Sequence, residues 1–136
     1  MRDLHNNVDI RRAISPVVGT DDTALVSQII DTKGYDSLEF AIATGTLADA
    51  DATFTVLVQD GDASDLSDAA AVADSQLLGT EANASFIYAD DDSVTKIGYA
   101  GYKRYVRLTV TPANNTGNAP ISAVAILGSP KLAPVA

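Results

Sequence analysis

One histidine, His5, no cysteine and eighteen carboxylates set the chemical repertoire of this 136-residue chain. A lone imidazole rules out a two-histidine metal site within one chain, and no thiol is present as nucleophile or thiolate ligand. His5 lies in the polar stretch Leu4-His5-Asn6-Asn7, where a solvated side chain is the expectation. Paired carboxylates do acid–base chemistry when contrasting environments separate their pKa values. Here the acids gather in turn-like, hydrated segments, and there is no tryptophan to stack a sugar. No enzymatic activity, cofactor or metal is therefore expected. One alternative stays open. Asp60-Gly61-Asp62-Ala63-Ser64-Asp65 and Asp90-Asp91-Asp92 offer the hard oxygens that calcium takes. Neither spacing matches an EF-hand loop, and solvated turns are the plainer reading.

The formal charge is −9, which argues against a nucleic-acid partner, because phosphate contacts need clustered Lys and Arg. Its distribution is uneven. From Gly34 to Thr95 there are 13 acids and no Lys or Arg. From Lys96 onward there are five cations (Lys96, Lys103, Arg104, Arg107 and Lys131) and no acid. Such polarity suggests one face docked on a partner and another in solvent, although soluble acidic loops explain it equally well. No apolar run approaches the ~20 residues of a membrane helix, and the start of the chain lacks the apolar stretch of a secretory leader.

Positioning falls to strands. Alternation and β-branched residues recur between turn signals, whereas helical periodicity is nearly missing. Strands are expected at 10–18, 23–30, 37–44, 53–59, 85–89, 94–99, 103–111 and 121–127, about eight in all, with a further short one at 76–78. Leu38, Phe40 and Ile42 should share one face, as should Phe54, Val56 and Val58. Residues 60–74 read as a long exposed loop, with one helical turn near Ala69 to Val72. In Lys103 to Thr111 the alternation turns Arg104 away from Tyr105 and Arg107, so no single basic-aromatic platform for RNA is expected. Pairing with acidic groups on a neighbouring subunit is the better use of those charges. The fold class is thus all-β: a jelly-roll-like β-sandwich over 10–128, with an N-terminal arm (1–9) and an extended C-terminal tail (129–136).

Four segments carry a resemblance. They are Arg2 to Pro16, Asp36 to Gly45, Thr53 to Gly61 and Lys103 to Pro112. In texture and order they resemble small proteins encoded among the head genes of tailed bacteriophages. The resemblance implies a capsid cement or decoration protein: a jelly-roll or related sandwich that self-associates, as dimer or trimer, on the capsid exterior after assembly in the host cytoplasm. Its partner would be the major capsid protein, with neither nucleic acid nor membrane involved. No residue set travels with the resemblance. From charge alone, Arg2, Arg11, Arg12, Lys103, Arg104 and Arg107 are the candidate capsid-interface residues. Two readings stand beside this one: a carbohydrate-binding sandwich, calcium-assisted or not, and a tail or head–tail connector component.

Overall fold

The alternating segments become strands because each carries one apolar face that two stacked sheets bury. The computed structural model describes residues 2–135. Among them run β1 (Asp9–Gly19), β2 (Leu25–Val26), β3 (Ile30–Asp31), β4 (Tyr35–Thr44), β5 (Thr53–Gly61) and β6 (Ala70–Ala71). They continue with β7 (Leu77–Leu78), β8 (Phe86–Ile87), β9 (Val94–Tyr99), β10 (Tyr105–Ala113) and β11 (Ala119–Pro130). One sheet has the order β1-β11-β4-β9-β7. The other is β2-β10-β5-β6, with β3 also on β10 and β8 also on β5. Every pairing is antiparallel.

The pairings are nested. β1 meets β11, then β2 and β3 meet β10, β4 meets β9, and β5 meets β6 and β8. The chain is therefore one long antiparallel ribbon rolled into two layers, the jelly roll that the alternation suggested. The expected inward faces hold: Leu38, Phe40 and Ile42, and opposite them Phe54, Val56 and Val58, are buried, as are Val106, Leu108 and Val110. β11 is central in its sheet, as its apolar run implied.

Several local expectations change. The single strand expected over 23–30 is two short ones, β2 and β3. Between them the Leu108 N–H donates to the buried Ser27 hydroxyl (2.9 Å), and the Gln28 N–H turns to the Ala13 carbonyl (3.0 Å). The chain here bridges from one sheet to the edge of the other. The stretch 60–74 is not one exposed loop, because Asp60, Leu66 and Val72 are buried and β5 runs to Gly61. No helical turn forms near Ala69 to Val72; Ala70–Ala71 bridges to Gln59 and Asp60 instead. The strand expected over 85–89 stops at Ile87, and a 3-10 turn follows at Tyr88–Asp90. A short helix missed by sequence reasoning, α1 (Glu81–Ala84), covers the open edge of β5. It is capped by Thr80, whose hydroxyl accepts from the Asn83 N–H (3.0 Å). The Val58 N–H donates to the Glu81 carboxylate (2.8 Å) and the Val56 N–H to the Ser85 hydroxyl (2.9 Å). These side chains occupy edge donors that would otherwise invite another strand.

Both chain ends return to the sandwich. A 3-10 turn at His5–Asn7 precedes β1. The segment after β11 folds back, and the Val135 N–H donates to the Asn6 carbonyl (2.9 Å).

Candidate functional site

Rolling a ribbon brings the first and last thirds of the chain together, so their cations meet at one end of the sandwich. That end holds the turns around 32–34, 61–69 and 100–104 and the chain after Gly128. The opposite end holds the loops 20–24, 45–52, 88–93 and 114–118, with seven aspartates and no Lys or Arg. The turn cations thus gather at one end, beside Asp62, Asp65 and Asp68, and the opposite end carries acids alone, so the contrast runs end to end, not face to face as the sequence suggested.

At the acidic end the aspartates tie loops together. The Leu47 N–H donates to Asp91 (3.3 Å), the Thr116 N–H to Asp49 (2.9 Å) and the Asn115 N–H to Asp22 (2.7 Å). The Thr116 N–H first, and then the Asp51 N–H, lower the Asp49 carboxyl. The Asp-rich segment 60–68 behaves in the same way. Asp68 accepts from the Asp62 and Ala63 N–H groups (2.8 and 3.2 Å), and Asp65 accepts from the Ser67 N–H (3.0 Å). Asp65 and Asp68 are thus committed to backbone donors of their own loop. Among the described residues no three acids or imidazoles converge as a metal cage.

At the basic end most of the candidate residues are already paired. Arg104 donates through two nitrogens to Asp31 (2.8 Å each), and Arg11 reaches the Asp31 carbonyl (2.8 Å) and the Asp9 carboxylate (2.8 Å). Arg104 also stacks on Tyr105, 5.0 Å from the ring centroid, against the sequence expectation that the two diverge. It lies just before β10 begins, where the chain is not yet in strict alternation. Lys103 pairs with Asp62 (2.7 Å), and Arg107 donates to Gln59 across β5 and β10 (2.8 Å). Arg12 lies exposed on β1, and Arg2 is exposed near the N-terminus; neither forms an ion pair among the described residues. The six candidates therefore divide: Arg11, Lys103 and Arg104 converge on one end, whereas Arg12 belongs to the outer face of the first sheet.

Sequence reasoning passed over two lysines that complete this end. A cleft of 530 Å³ opens between the β3–β4 turn and the β9–β10 turn, lined by Lys33, Tyr102, Lys103, Arg104 and Lys131 with Asp36. Lys33 and Lys131 are exposed and form no ion pair among the described residues. Tyr102 is 92% exposed at the mouth. The available signal was positional: both lysines sit in turns that a jelly roll sends to the same end. Beneath the cleft the Tyr99 hydroxyl donates to the buried Asp60 carboxylate (2.6 Å) and accepts from the Lys103 N–H (2.9 Å), joining the two sheets. Burial, and then the Asp60 hydrogen bond, push the Tyr99 phenol up and keep it neutral. Gly101 permits this closure, because a Cβ there would stand 2.5 Å from the Tyr99 hydroxyl. Next to the cations, Leu4, His5, Val8, Ile10 and Val135 line an apolar groove between the chain ends.

No known family and no curated protein matches the chain. Its fold does have solved neighbours. The PBSX exported protein XepA superposes with a TM-score of 0.61 at 10% identity, over 97% of this chain and 40% of that one. The chain thus spans less than half of XepA. The likeness is one of fold. The CBM36-1 domain of a multidomain xylanase from the hindgut metagenome of Trinervitermes trinervoides scores 0.44 at 11% identity, over 90% and 98% of the two chains. The xylan-binding module CBM15 scores 0.41 at 12% identity, over 96% and 95%. At those scores neither module supports an argument about ligand.

The Asp31–Arg104 pair predicts a pH response. The Arg104 guanidinium, bonded to both oxygens, holds the Asp31 carboxyl at about 2, and the Lys33 N–H adds to this while burial opposes it. A depressed carboxyl stabilises the fold above its unfolded value near 3.8, and the gain disappears as pH falls through about 2. Both side chains are nearly half exposed, so screening keeps the effect small. Melting curves at pH 6, 4 and 2 should show Arg104→Met losing stability against wild type at pH 6 and 4 and converging with it at pH 2. A gap that persists at pH 2 would assign the loss to packing on Tyr105.

Proposed function

We propose that the chain is a non-enzymatic structural protein of a virion that binds the outer capsid surface and cements neighbouring major capsid subunits. The observation that carries this reading is the end-to-end division of the jelly roll. Lys33, Lys103, Arg104 and Lys131, the segments near both termini and an apolar groove gather at one end beside the Asp62–Asp68 turn, and the opposite end carries seven aspartates and no Lys or Arg. A rigid body polarised in this way docks in one orientation and keeps its other end hydrated. The sequence resemblance to head-gene products supplies the lattice as partner. Weak single contacts suffice there, because many copies act together.

The structure also changes which residues test docking. Reversing Arg11 or Arg104 breaks internal pairs, whereas Lys33 and Lys131 form no ion pair among the described residues. Purified protein should add to capsids that lack it, with binding that weakens as salt rises. The Lys33→Glu/Lys131→Glu variant should bind roughly tenfold more weakly or worse, with an unchanged melting temperature. Absence of wild-type binding, or binding indifferent to both salt and reversal, would sink the proposal.

The cleft favours a second reading, a carbohydrate-binding module. Its 530 Å³ lies within the range of small-ligand sites, and Tyr102 presents a ring at its mouth. A glycan array with and without chelator tests this reading. Sugar binding abolished by Tyr102→Ala would favour it over docking.

A further inference from the structure

The outer face of the first sheet carries a different kind of unpaired charge. Register places Ile10, Ile126, Glu39 and Gly98 side by side in one row, and Arg12, Val124, Ala41 and Lys96 in the next. Ile10 is 62% exposed, and Leu78 beside Gly98 is 61% exposed, so the rows form an apolar strip with small residues at its centre. Glu39 lies flat across this strip because Gly98 has no side chain; a Cβ there would meet the Glu39 carboxylate. That carboxylate has neither an ion pair nor a hydrogen-bond partner among the described residues, and Arg12 and Lys96 have no ion pair either. Elsewhere Arg11, Lys103 and Arg104 all find acids within their own chain.

We propose that this face binds a second copy of the same chain in a twofold, face-to-face dimer. Self-complementarity carries the choice of partner. Glu39 and Lys96 are diagonal neighbours on β4 and β9. A twofold axis lying in the plane of the face, midway between them, exchanges the two residues. Glu39 of each copy then meets Lys96 of the other, and the apolar rows close around both pairs. A partner of one charge sign would leave one of the two groups opposed. Four strands about 4.8 Å apart and about 30 Å long give a flat projection of roughly 600 Å², near the roughly 800 Å² of accessible surface per partner in standard interfaces. Partial burial already raises the Glu39 carboxyl, with Lys96 pulling the other way, so a nearby cation has a cost of burial to offset.

This face meets the docking end only at Ile10, and Glu39, Lys96 and Val124 lie outside that end, so this inference and capsid docking fail independently. Sedimentation equilibrium of the purified chain, from micromolar to millimolar concentration, should show a monomer–dimer equilibrium. Glu39→Lys and Lys96→Glu should each weaken dimerisation roughly 10- to 100-fold, and the double exchange should restore most of it. Val124→Glu should give a monomer that keeps the wild-type circular dichroism spectrum. A wild-type monomer throughout, single reversals without effect, or a double exchange that fails to rescue would each overturn the proposal.

Discussion

A Phe54→Ala protein is expected to lose about 3–5 kcal/mol of stability, a large share of the roughly 5–15 kcal/mol that holds a domain of this size together. Phe54 is fully buried on β5, and its ring stacks on Phe86 with centroids 5.1 Å apart and planes 12° from parallel. Removing it leaves a cavity and deprives Phe86 of its partner. The damage also reaches the edge cover, because Phe86 is next to Ser85, whose hydroxyl takes the Val56 N–H. Urea titration of the single and double alanine variants measures both effects. The two rings should couple by about 0.5–1.5 kcal/mol beyond their burial. Additive losses would mean that the stack is contact without preference.

Tyr99→Phe is expected to cost about 2–3 kcal/mol, more than deletion of one hydroxyl would in a neutral pair. The hydroxyl is the hydrogen-bond donor to the buried Asp60 carboxylate, so its loss leaves that carboxylate without a side-chain donor among the described residues. Asp60→Ala should cost less. In that variant no charge stays buried, and the Tyr99 hydroxyl still accepts from the Lys103 N–H and can turn toward the Lys103 carbonyl 3.5 Å away. Thermal and urea unfolding of both variants test the order. The reverse order would show that Asp60 contributes mainly through something other than this bond. Because the bond lies under the cationic cleft, Tyr99→Phe should also loosen the 100–104 turn, seen as faster amide exchange at Lys103.

The local code was legible where a strand has one wet and one dry face. Leu38, Phe40 and Ile42, and Phe54, Val56 and Val58, point inward as their spacing requires, because a period of two leaves no other choice. It failed where tertiary contact replaces local preference. Leu66 and Val72 look like loop residues among aspartates and serines, yet both are buried against the sandwich. Glu81 to Ala84 is too short for periodicity to register, and it is held by β5 backbone donors that no sequence window contains. The candidate cations divided in the same way. Their sign and number were readable, but not their partners: Arg104 finds Asp31 across 73 residues, and Lys103 finds Asp62 across 41.

By itself, then, the sequence determined an all-β sandwich with little equipment for catalysis, because residue type and a two-residue period are local properties. The rolling of the ribbon is a non-local property, decided when β1 closes on β11. That closure turned a division into acidic and basic thirds into one between an end of acids alone and an end where the turn cations gather beside Asp62, Asp65 and Asp68. It also drew Lys33 and Lys131 into the cleft, and left Glu39 and Lys96 without an ion pair among the described residues on the face proposed to meet a second copy.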